Sequence, residues 1–207
     1  MALFLAVMAS VLLHSTLPMV AYVLASLAVV FPVRDLRSQW LVYRQITLGV
    51  VLQCAAVLAV VVAVAMMLLS LGSPVLDWGW WQWIAGLADQ PGTGGTILAA
   101  PLNYPLLIPV LFALLIPMLP RLALSEELLF RRGTRSWREG VARSITFGLA
   151  HLTMGVPIGL ALALSVGGLW FTYQYFRGGV ALSTVHHVAY NCLALLLAVG
   201  VMLIVGK

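Results

Sequence analysis

Residues 105–120 read PLLIPVLFALLIPMLP, and apolar stretches as long or longer recur along the whole chain. Away from water, a run of about 20 apolar residues must satisfy its own backbone N–H and C=O groups, and an α-helix does so within one segment. The chain therefore reads as all-α: a polytopic membrane helix bundle, with residues 1–207 forming a single membrane domain. Composition agrees, since 63% of residues are hydrophobic and 8% are charged. Soluble domains are about half apolar and a quarter charged. The net charge of +5 gathers in arginine clusters between the apolar runs. That pattern reports membrane topology and gives no sign of a nucleic-acid partner. Cys54 and Cys192 lie inside apolar runs and read as small packing residues, not as a disulfide framework or a metal motif.

About six transmembrane helices are expected, near residues 4–32, 46–70, 98–133, 141–154, 158–176 and 180–205. The first has no basic start and is too long for a signal peptide, so it reads as a retained span. Pro109, Pro117 and Pro120 should kink the third. Gly155 and Pro157 make one turn and Arg177-Gly178-Gly179 another, while Gly159, Gly167 and Gly168 allow close helix contact. Trp78, Trp80, Trp81 and Trp83 suit a segment lying at the membrane–water interface. The loops at 33–45, 131–143 and 177–179 hold most of the arginines, and alternation places all three on one side. By the positive-inside rule that side is cytosolic and both termini lie outside. Such a small multi-pass chain suits a prokaryotic plasma membrane. Arg121 is the misfit inside the third run, where it snorkels, lines a water-filled cavity or marks a helix break.

Ionisable groups within membrane helices cost several kcal/mol unless paired or hydrated, so each is a functional candidate. Glu126 and Glu127 stand about five residues inside Arg131 and Arg132, roughly 7 Å at the helical rise. By the same measure His151 lies roughly 12 Å beyond Arg143, and His187 roughly 11 Å beyond Arg177. Ionisable groups from several helices thus reach a similar depth, which points to one shared site. Glu127 and Arg131 are spaced for an i,i+4 ion pair, which turns Glu126 away and leaves it free. Phe147 can pack on His151, and His187 and Asn191 project from one face. A Glu–His pair can hold and deprotonate water, and a His–Asn pair can stabilise a carbonyl oxygen under attack. His186 points elsewhere and reads as packing, as does His14, which has no partner motif.

The ordered set Glu126-Glu127-x-x-x-Arg131, Phe147-x-x-x-His151 and His187-x-x-x-Asn191 resembles the CAAX-protease and bacteriocin-processing (Abi) family of intramembrane endopeptidases. The surrounding words EELLFRRG, ITFGLAHL and STVHHVAYN carry the same likeness, which covers about residues 100–200. The resemblance divides the chain into variable N-terminal spans over 1–97 and a catalytic core over 98–205. It implies an endopeptidase acting on a membrane-associated protein or peptide near the cytosolic face. It also implies Glu126 as general base on water, His151 as its partner and His187 with Asn191 as oxyanion stabilisers. Glu127 and Arg131 would support them.

Metal dependence stays open at this point. Glu126, His151 and His187 could together hold Zn2+ or another divalent metal, but only Glu127 would then remain as a base. The reading favoured here needs no cofactor and uses glutamate-activated water. A second functional class is a non-catalytic immunity or accessory protein on the same scaffold. A transporter would show inverted repeats with broken helices in matching halves, and no such pairing is present.

Overall fold

The computed structural model describes residues 36–79, 115–154 and 156–205. The expected first span, His14, Pro109, Trp80, Trp81, Trp83 and the start of the third span lie outside the described residues. Every described element is helical, with no strand among them. They run α1 (Leu36–Tyr43), α2 (Leu48–Ser70), α3 (Pro74–Asp77), a 3-10 turn (Ile116–Met118), α4 (Leu119–Phe130) and α5 (Trp137–Ala150). A second 3-10 turn (His151–Met154) then leads into the helical run Ile158–Val205. Gly178 and Gly179 break this last run into α6 (158–177) and α7 (180–205). Gly179 has φ 67°, a left-handed conformation that glycine adopts without the Cβ clash other residues meet.

Helices α2 and the run Ile158–Val201 are long and apolar enough to cross a membrane. Polarity across the bundle is inverted relative to a water-soluble protein. Leu48, Leu52, Met66, Leu129 and Leu196 are each more than half exposed, while Glu127, Arg131, Gln174, His186 and His187 are buried.

Three expectations change in detail. The arginine-bearing stretch 33–45 is not all loop, because α1 occupies most of it. The basic loop at 131–143 is also shorter than expected. Helix α5 begins at Trp137, where Ser136 Oγ accepts from the Glu139 N–H at 3.3 Å and Glu139 Oε2 accepts from the Arg135 N–H at 2.8 Å. This reciprocal cap starts the helix before the apolar run does, so Arg138 and Arg143 ride on α5. The third apolar run changes character at the 3-10 turn, with Pro117 inside it and Pro120 in the first turn of α4. Arg121 sits just past this break.

The main core joins Cys54, Val61 and Ala65 of α2, Phe147 of α5, Ala163 and Phe171 of α6, and Ala189 and Tyr190 of α7. A smaller cluster of Leu119, Ala123 and Val188 seats α4 on α7, with Val42 and Tyr43 of α1 beside it. Helices α5 and α6 approach through small residues. A Cβ on Gly148 would stand 2.3 Å from the Ala161 carbonyl oxygen, and one on Gly168 would stand 3.1 Å from Ser144 Cα. Ser144 Oγ and Thr172 Oγ1 hydrogen-bond across this seam at 3.1 Å. Gly148→Ala should therefore push the two helices apart and destabilise the bundle by about 1–3 kcal/mol. Thermal unfolding in detergent measures this, and an unchanged midpoint would contradict the close packing.

Candidate active site

Helix α4 carries Glu126 and Glu127 in its last turn, and α7 passes beside it through the Leu119–Ala123–Val188 contact. This neighbourhood puts His187 between the two glutamates. His187 Nδ1 lies 2.8 Å from Glu127 Oε1, and His187 Nε2 lies 3.3 Å from Glu126 Oε2. Glu127 is completely buried and His187 is 2% exposed, whereas the Glu126 side chain is 36% exposed. One carboxylate is thus sealed behind the imidazole, and the other stands at the open side.

Each partner of Glu127 has a physical role. Arg131, also completely buried, holds Nε 3.7 Å from Glu127 Oε2, one helical turn away as the spacing predicts. Arg131 Nη2 donates to the Gly168 carbonyl at 3.1 Å. Its guanidinium carbon lies 4.3 Å from the Phe147 ring centroid and 5.7–5.8 Å from those of Phe130 and Phe171. The cation is therefore held by one carboxylate, one carbonyl and three aromatic rings. Ser183 Oγ reaches both Glu127 Oε2 and, at 2.9 Å, the Phe171 carbonyl. A hydroxyl has one proton, and the charged acceptor is the stronger claim on it.

The His187 ring stacks on Phe171 with centroids 4.2 Å apart and planes 17° apart, and it meets the edge of Phe147 at 5.6 Å. These contacts fix the ring plane. The bond to Glu127 fixes the protonation pattern, because a carboxylate only accepts and Nδ1 must carry hydrogen. The contact between Nε2 and Glu126 is attractive only if a proton lies between them.

His151 occupies a different place. It begins the 3-10 turn after α5, and its Nδ1–H donates to the Phe147 carbonyl at 2.9 Å. Its ring meets Phe147 at 4.9 Å, so one phenyl ring touches both imidazoles. Among the described residues the imidazole at ion-pair distance from Glu126 is His187, not His151. Asn191 stands one turn beyond His187 on α7 and is partly exposed. Among the described residues no three His, Cys, Asp or Glu side chains converge as a metal-ligand group. Glu126 and His187 lie 3.3 Å apart, and His151 meets the same Phe147 ring as His187.

Sequence reasoning does not single out Ser183 or Phe171. Ser183 has a readable signal, since it precedes His187 by one helical turn and shares its face. Phe171 has none, because its stacking depends on how α6 and α7 fold back at Gly178–Gly179. His186 turns away from the carboxylates. Its Nε2 lies 3.3 Å from Gln53 Oε1, and its ring meets Trp170 at 5.9 Å. No protein-family profile, curated protein or solved structure matches this chain.

Proposed function

We infer that this chain is a membrane-embedded endopeptidase that cleaves a membrane-associated protein or peptide with water activated by Glu126. The observation that carries the reading is the chain of contacts from buried Glu127 through His187 to half-open Glu126. The network runs from a completely buried carboxylate to one that is 36% exposed and has access to its surroundings.

In the proposed reaction Glu126 takes a proton from water as the water oxygen bonds to the substrate carbonyl carbon. The carbonyl π electrons move to oxygen, and the His187 Nε2–H, released by Glu126 as that carboxylate takes the water's proton, stabilises the resulting oxyanion together with the Asn191 amide. Glu126 then returns its proton to the departing nitrogen as the C–N bond breaks, giving a free acid and a free amine. His151, fixed through Nδ1 to the Phe147 carbonyl, presents Nε2 as an acceptor that helps hold the water. Glu127 keeps His187 oriented, and Arg131 pairs with Glu127.

The likeness of the Glu126-Glu127, His151 and His187–Asn191 motifs to the CAAX-protease and bacteriocin-processing family supports the same reading. So does the placement of these residues in apolar helices. The proposed topology has about six crossings of a plasma membrane, both termini outside and the site nearer the cytosolic face. It makes the bilayer itself a partner. A cysteine placed at exposed Arg135, which spares the Ser136 cap, should react with an impermeant thiol reagent only from the cytosolic side. Labelling from outside alone would reverse the topology.

The deciding experiment is cleavage of candidate membrane-peptide substrates by the purified chain in lipid, with Glu126→Ala beside it and with chelator added. Cleavage that needs Glu126 and survives chelation supports the reading. Cleavage unaffected by Glu126→Ala in a folded protein overturns it.

A further inference from the structure

A cavity of about 210 Å³ lies at the start of α2 beside the turn between α6 and α7. Thr47, Gly49 and Gln53 line it from α2, Gln174 and Arg177 from α6, and His186 from α7. Among the described residues no carboxylate lines it. We propose that this cavity binds a phosphate group, as the headgroup of an anionic phospholipid or as a free anion.

Three independent features converge there. The first is the N-terminus of a 23-residue helix. Thr47 Oγ1 satisfies the Val50 N–H, and the partial positive charge of the first turn remains. The second is Gln174, which is 1% exposed while its Nε2 has no hydrogen-bond partner among the described residues. A buried amide donor left in that state is destabilising, and an acceptor in the cavity would relieve it. The third is the exposed Arg177 guanidinium, with its fixed fork of donors.

The arrangement of donors selects the ligand. They come from two helices, α2 and α6, which suits a tetrahedral oxyanion with acceptors in several directions better than a planar carboxylate. The cavity also lies where the spans end. Arg44 precedes Thr47 by three residues, and Arg177 opens the α6–α7 turn. Anionic headgroups concentrate at such a basic boundary. Binding here bears on α7, since His186 borders the cavity and the next residue, His187, contacts both glutamates. The inference is independent of the hydrolase reading, because its readout is binding.

The test is native mass spectrometry of the full chain in detergent, titrated separately with phosphatidylglycerol, phosphatidylcholine and inorganic phosphate. The variants are Gln174→Leu and Arg177→Gln, with Arg135→Gln as a charge control. One tight phosphatidylglycerol adduct is expected, stronger than that of phosphatidylcholine. It should weaken about tenfold in each cavity variant and not in the control. If inorganic phosphate alone binds with the same sensitivity, the ligand is a free anion. If only the lipid binds so, it is a headgroup. Should Gln174→Leu fail to fold, exposed Arg177→Gln carries the test alone. Binding of both phosphate sources that is indifferent to Arg177→Gln, or that falls equally in Arg135→Gln, overturns the proposal.

Discussion

Glu126→Gln is expected to lower the rate of peptide hydrolysis by about 10³-fold while leaving the chain folded. The amide keeps the size of the carboxylate but cannot take a proton from water. Its side chain is 36% exposed, so the exchange leaves no buried charge unpaired. The amide can still hydrogen-bond His187 Nε2, which preserves the ring position. The loss should therefore appear in kcat with KM nearly unchanged, as for an interaction made only in the transition state. Single-turnover cleavage in lipid, alongside a thermal unfolding curve for each protein, makes the measurement. A variant that retains more than about a tenth of the wild-type rate would remove Glu126 from the role of base.

The second large effect is on stability. Glu127→Ala removes the one carboxylate that, among the described residues, lies at ion-pair distance from Arg131, and leaves that cation among Phe130, Phe147 and Phe171. Breaking a buried pair by removing one partner costs about 3–5 kcal/mol. That is a large share of the roughly 5–15 kcal/mol by which a domain is stable. The midpoint of thermal unfolding should fall steeply. Removing the charge of both partners, as in Glu127→Gln with Arg131→Met, should recover much of that stability without restoring activity, because His187 then lacks its carboxylate partner. If the double variant is both stable and fully active, Glu127 has no part in orienting His187.

These two residues also mark how far a sequence can be read. The Glu127–Arg131 pair was legible because four residues make one helical turn, whatever surrounds the helix. The packing of Phe147 on His151 was legible for the same reason. The bond from Glu127 to His187 was not, since it depends on α4 lying against α7. Nothing in the order of the spans dictates that neighbour. Counting along the helices put His151 and His187 at a similar level, and the fold sets both against the Phe147 ring with His187 at ion-pair distance from the glutamates. The long apolar helices were visible as unbroken runs. Helix α1 was hidden by the polar run Arg37-Ser38-Gln39, which resembles a loop, and the first turn of α5 by its polar residues, whose Ser136–Glu139 cap outweighs composition.

The aromatic cage around Arg131 has a consequence for how the protein is made. The cation follows the last turn of α4, yet its cage includes Phe147 of α5 and Phe171 of α6, and its carbonyl partner is Gly168 of α6. During insertion, α4 emerges before any of these. Until they dock, Arg131 is better placed at the interface, where water and headgroups solvate it. The same docking steps bring Ser183 and His187 to Glu127. The movement that buries the arginine therefore also completes the Glu126–His187–Glu127 cluster, so a half-inserted chain carries neither the sealed cation nor the assembled polar site.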